Sequence, residues 1–163
     1  MSVRSGLTNG NGKTPRRGKR ILGASMGDCV HVAGVLNFLR LAESQGYSTE
    51  FAGTAVSPEE LAAMAKAKKS DYLAVGYRLD PQAARNLIRR LKTALGKRDC
   101  APLLLFGGTP PVAEVAREEG GFDAVFSGKE DIDEIIAYLR GKPVLKDAPR
   151  YPERLGERIE WKE

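Results

Sequence analysis

Apolar residues follow two different periods along this chain, and the two alternate. Residues 20–24, RILGA, form a short apolar run of strand type. Residues 31–46 then repeat at three and four positions, so that Val32, Val35, Leu36, Leu39 and Ala42 share one helical face, with Gly46 placed to end it. STEFAGT at 48–54 predicts a second strand. In 57–70, Ser57 stands as N-cap, Pro58 as the first helical residue and Glu60 three after the cap, which predicts a capping box and a second helix. Residues 71–79 are apolar at almost every position, as in a strand covered on both faces. Asp80 and Pro81 open a third helix, 80–95, with Ala84, Leu87, Ile88, Leu91 and Leu95 on a buried stripe. Strand, helix, strand and helix follow at 102–108, 110–120, 122–128 and 131–141.

Strands that alternate with helices through short connections predict a flavodoxin-like α/β fold. It is a doubly wound five-stranded parallel sheet, order 2-1-3-4-5, with helices on both faces. The expected organisation is a basic tail at 1–18, one folded domain at 19–141 and an extended tail at 142–163. The chain's 163 residues suffice for one such domain with a real core.

Charge changes the picture less than its total suggests. The net charge is +5, but residues 1–20 carry six cationic side chains and no acidic one. The remainder is therefore close to neutral, at −1. The basic character belongs to a polar tail expected to be disordered, and nucleic acid is not the expected partner. The C-terminal stretch, with its prolines and Trp161, is a candidate contact surface for a partner. No apolar run approaches membrane-spanning length and no secretory leader is visible, so a cytoplasmic chain without membrane contact is expected. Cys29 and Cys100 are too far apart in sequence to form a metal-binding pair.

In a sheet of this order a ligand sits at the carboxyl ends of the strands, between strands one and three. The only histidine, His31, falls in the loop after strand one. Glycines gather at the same end: Gly27 and Gly34, then Gly76, Gly107, Gly108 and Gly128. They let a ligand approach the backbone closely. Familiar chemistries for such a crevice lack their residues. There is no Gly-x-Gly-x-x-Gly run and no phosphate loop after strand one. A phosphoryl-accepting site would need acidic residues where strand one ends in GASM and strand three in GYR. A flavin would need aromatic loops, and only Tyr77 is available. Cys29 has no cationic neighbour and reads as a small buried filler. A solitary histidine can still serve a metal that arrives with its other positions filled, and a corrinoid, whose ring supplies four nitrogens to cobalt, is such a cofactor.

Over residues 19–141 the chain resembles the cobalamin (vitamin B12)-binding domain family, which is marked by Asp-x-His-x-x-Gly after strand one, Ser-x-Leu after strand three and Gly-Gly after strand four. His31-Val32-Ala33-Gly34 supplies the His-x-x-Gly half, and LLLFGGTPP supplies Gly107 and Gly108 before Thr109. Two positions depart from the pattern. The family aspartate, which holds the other imidazole nitrogen, is Cys29 here, with Asp28 one residue earlier. The family serine is Gly76, with Tyr77 as the nearest alternative hydroxyl.

The resemblance implies base-off cobalamin binding, with His31 as the axial cobalt ligand and the cofactor's nucleotide tail buried between sheet and helices. The implied cofactor-binding set is Asp28, Cys29, His31, Val32, Gly34, Gly76, Tyr77, Leu79, Gly107, Gly108, Thr109 and Gly128, with no catalytic residue in the chain itself. It further implies the small component of an adenosylcobalamin-dependent mutase of the methylaspartate (glutamate) mutase and aminomutase type. That component would be an isomerase subunit, inactive without a separate barrel subunit. Adenosylcobalamin is then expected rather than methylcobalamin. The alternatives are a methyl-carrying corrinoid protein and a degenerate, non-catalytic cobalamin-binding or regulatory module.

Overall fold

The computed structural model describes residues 18–97 and 101–142. Ten elements alternate in chain order. They are β1 (Arg20–Met26), α1 (Ala33–Ser44), β2 (Ser48–Val56), α2 (Pro58–Ala67), β3 (Tyr72–Gly76), α3 (Pro81–Leu95), β4 (Leu103–Gly107), α4 (Pro110–Glu119), β5 (Phe122–Phe126) and α5 (Ile132–Leu139). The strands form one parallel sheet in the order β2-β1-β3-β4-β5. This is the expected flavodoxin-like fold. The expected basic segment up to residue 17 and the segment from 143, with its proposed partner contact, lie outside the described residues.

Side chains alternate across the sheet because a strand has a period of two. Leu22, Ala24, Leu73, Val75, Leu104 and Phe106 pack under α2, α3 and α4. Ile21, Tyr72, Ala74, Leu105 and Ala124 pack on the other face, with α1 and α5. All five residues of β3 are buried, as its continuous apolar run requires for a central strand. The stripe on α3 is the predicted one, with Ala84, Leu87, Ile88, Leu91 and Leu95 buried.

Helix ends follow their local chemistry, with one difference. Gly46 adopts φ +93° and ends α1, where Tyr47 N–H donates to Ala42 O at 3.1 Å. Asp80 accepts the Ala83 N–H at 2.7 Å and caps α3. Ser57 accepts the Glu60 N–H at 3.2 Å, which is one half of the expected box. The full reciprocal box is found at α5 instead. There Asp131 accepts the Glu134 N–H at 2.9 Å, and Glu134 accepts the Asp131 N–H at 2.8 Å. β3 ends at Gly76, so Tyr77 and Leu79, expected within a strand reaching residue 79, lie beyond it.

Candidate functional site

The loop from β1 to α1 is tied down residue by residue. Gly27 turns the chain out of the strand at φ +69°, and its N–H donates to Val56 O at 2.8 Å. Cys29 N–H donates to Met26 O at 3.2 Å, and Cys29 O accepts the Ala55 N–H at 3.0 Å. Ala55 makes that bond from a left-handed conformation, φ +50°, which costs a non-glycine residue about 1 kcal/mol or more. Buried Ser25 donates through Oγ to the His31 carbonyl at 2.6 Å. His31 itself is exposed, and its Nδ1 lies 3.5 Å from Cys29 Sγ.

His31 lines a cleft of about 870 Å³. That volume lies within the range of small-molecule and cofactor sites. The floor is the ends of β3 and β4, including Gly76 and Gly107, and the walls are α1 and α5. The position is the topological one expected of this fold, at the carboxyl ends of the strands. Phe38, Leu41, Phe126 and Ile135 make the walls apolar. Arg40, Arg78 and Lys129 bring positive charge, and among the described residues none of the three has an ion-pair partner. The Glu130 carboxylate is already engaged. It accepts the Ser127 N–H at 3.0 Å, the Ser127 hydroxyl at 3.0 Å and the Gly128 N–H at 3.1 Å. The uncommitted charge on the lining is therefore cationic, which suits an anionic group on a ligand. No group of three or more histidine, cysteine, aspartate or glutamate side chains able to hold a metal ion occurs among the described residues.

Of the residues singled out in the sequence, His31, Gly34, Gly76, Gly107, Gly108, Thr109 and Gly128 line the cleft. Asp28, Cys29, Val32, Tyr77 and Leu79 do not. Gly76 faces α1, where a Cβ would lie 2.6 Å from Val35 Cγ2. Tyr77, one residue on, turns to the opposite face and packs with α2 and α3, fully buried. The alternation that points Gly76 at the cleft thus points Tyr77 away, and its hydroxyl does not replace a serine there. Burial pushes the Tyr77 phenol above its ordinary pKa. The Asp80 N–H at its oxygen works the other way, and the Asp28 carboxylate beside it adds to the rise. Asp28 is therefore turned toward Tyr77, and the atom next to the His31 imidazole belongs to Cys29.

Apart from Gly34 and Gly128, the cleft-lining residues of α1 and of the β5–α5 loop were missed in the sequence. Phe38 and Leu41 gave a signal: they lie beside the buried stripe of Val35, Leu39 and Ala42 and widen the apolar arc of α1. Arg40, Arg78 and Lys129 gave none, because isolated surface cations look alike until the fold gathers them.

No protein-family model matches the chain, and no curated protein does. Solved structures do. A cobalamin-binding protein from Desulfitobacterium hafniense aligns at 20% identity and TM-score 0.57, over 66% of this chain and 52% of that one. A monomethylamine corrinoid protein of Methanosarcina barkeri aligns at 21% identity and TM-score 0.55, over 73% of this chain and 56% of that one. A protein of Burkholderia pseudomallei described as pilus assembly-related aligns at 15% identity and TM-score 0.50, over 74% and 86% of the two chains. This chain spans about half the length of the first two. At these identities the likeness establishes the shared fold.

Proposed function

We propose that this chain is a corrinoid-binding domain that holds cobalamin base-off, with His31 as the axial ligand to cobalt. The observation that carries the reading is a single exposed imidazole on the lining of a glycine-floored cleft of about 870 Å³. A corrinoid asks the protein for one axial donor, which is what a site with one histidine can give. The cleft also meets a steric test. A Cβ built on Gly107 or Gly34 has no heavy atom within 4 Å, so the space before both is open. The apolar walls suit an aromatic base, and the cations suit the phosphate that links it to the ring. That neighbours of the same fold are described as cobalamin-binding and corrinoid proteins supports the reading.

The chain's own part is to bind and orient. His31 supplies the lower ligand, the cleft takes up the tail, and the loop bonds of Gly27, Cys29 and Ser25 hold the histidine in place. Bound adenosylcobalamin would supply a cobalt–carbon bond whose homolysis starts a radical rearrangement. The resemblance of the sequence supports the small component of such a mutase, presenting the cofactor to a separate barrel subunit. The second reading is a methyl carrier, favoured by the likeness to the Methanosarcina corrinoid protein.

Anaerobic titration with adenosylcobalamin and methylcobalamin tests the core of this reading. EPR of the cob(II)alamin form follows, with the cofactor's own base labelled with nitrogen-15. The expected result is a nitrogen-14 splitting in the wild type that is absent in His31→Ala. If neither corrinoid binds, the reading is wrong. Preference between the two corrinoids, and isomerase activity gained on adding a barrel subunit, separate the mutase component from the methyl carrier.

A further inference from the structure

The residue behind His31 is a fully buried thiol, and the nearest carboxylate in sequence is turned elsewhere. Cys29 is 0% exposed and its Sγ lies 3.5 Å from His31 Nδ1, while Asp28 faces the Tyr77 hydroxyl. The backbone around both partners is held. Cys29 is bonded through its N–H to Met26 and through its carbonyl to Ala55, and the His31 carbonyl takes the Ser25 hydroxyl. The freedom left is rotation of the His31 side chain about Cα–Cβ and Cβ–Cγ, and contact at Nδ1 restricts both. With that edge against sulfur, Nε2 is the nitrogen turned away from the buried thiol.

We propose that Cys29 is a positioning residue whose buried sulfur holds the His31 ring by its Nδ1 edge, so that Nε2 is presented to the ligand. This rests on the corrinoid reading for the ligand's identity but not for the geometry. A neutral imidazole has one N–H and one lone pair. When Nε2 spends its lone pair on a metal, the proton stays on Nδ1, and Sγ is the acceptor beside it. Sulfur is a weaker acceptor than a carboxylate oxygen, so it draws less on the Nδ1 proton. His31 is then a weaker donor to the metal than an imidazole backed by aspartate.

The test has two arms. In the free protein, three-bond couplings about the His31 Cα–Cβ bond report whether the side chain keeps one rotamer. One rotamer is expected in the wild type and in the near-isosteric Cys29→Ser, and averaging in Cys29→Ala. In the second arm, Cys29→Ala weakens cob(II)alamin binding by roughly 10–100-fold, the usual cost of losing a partner behind a metal ligand. Cys29→Ser stays within a few-fold of the wild type, and Cys29→Asp enlarges the nitrogen-14 splitting. Unchanged couplings and affinity in Cys29→Ala overturn the proposal while leaving the corrinoid reading intact. A wild type that binds no corrinoid but loses its single rotamer in Cys29→Ala does the reverse: it supports the positioning role and removes the corrinoid.

Discussion

A methyl group built on Gly107 would meet no heavy atom within 4 Å, whereas one built on Gly108 would lie 2.6 Å from the Tyr77 carbonyl oxygen. It would also lie 3.1 Å from both Phe106 and Val112. The two glycines therefore serve different ends. Gly107 keeps the cleft open, and Gly108 allows β4 and the start of α4 to pack. Gly107→Val is expected to change stability little, because a β-branched residue suits a strand, and, on the corrinoid reading, to abolish uptake of the cofactor's tail. Gly108→Ala is expected to destabilise the fold by about 1–3 kcal/mol through overpacking against backbone that cannot rotate away. Urea unfolding of both variants, set beside corrinoid titration, checks the contrast. Equal stability losses would mean that Gly107 also serves packing.

The elements that bear the site begin and end by ordinary local chemistry. α5 forms one wall of the cleft and is only eight residues long, so its N-terminal cap matters more than it would for a longer helix. Asp131 and Glu134 satisfy each other's backbone N–H groups there. Asp131→Ala is expected to cost about 1 kcal/mol. The loss should concentrate in α5, seen as faster amide exchange at 132–139 than in α3. Even loss of protection across the whole domain would show that α5 does not open separately. α1 differs: its N-cap, Val32, makes no side-chain capping bond, and the chain just before it is held through Ser25 and Ala55 instead. This is why the helix starts at Ala33 rather than at His31, leaving the histidine on a pinned loop.

Across the whole molecule the two faces of the sheet do different work. Under α2, α3 and α4 the packing is continuous. Charged pairs close its surface, with Arg85 bonding Glu119 at 2.7 Å and Arg89 bonding it at 3.0 Å. The Arg89 and Arg85 guanidiniums hold the Glu119 carboxyl below its ordinary 4.5. A carboxyl whose folded pKa is depressed adds stability that is fully present above the unfolded value. That stability is lost as the pH falls from there through the folded value. Thermal midpoints should therefore drop below pH 4.5 in the wild type, and less steeply in Glu119→Gln. Identical acid limbs would mean that solvent screens the pair completely. The other face, with α1 and α5, is the one that opens into the cleft. A ligand seated there should raise the midpoint at neutral pH and leave the Glu119 contribution unchanged, since the two lie on opposite sides of the sheet.

The alternation of periods along the chain was enough to place the ten elements, and the strand order is the common one for such an alternation. Each element depends on a pattern of many residues that reinforce one another. The seven singled-out positions that line the cleft were legible for a different reason: glycines near strand ends, a histidine in the first loop and Thr109 after the glycine pair are local features. Only the tertiary structure decided which neighbour a particular side chain meets. One step of strand alternation sent Tyr77 to the face opposite Gly76. One turn after Gly27 gave the place beside the imidazole to Cys29 and turned Asp28 toward Tyr77. Such choices rest on a single residue's direction and on partners distant in sequence. The bonds from Ala55 and Val56 to this loop come from a different strand, and no pattern within the loop encodes them.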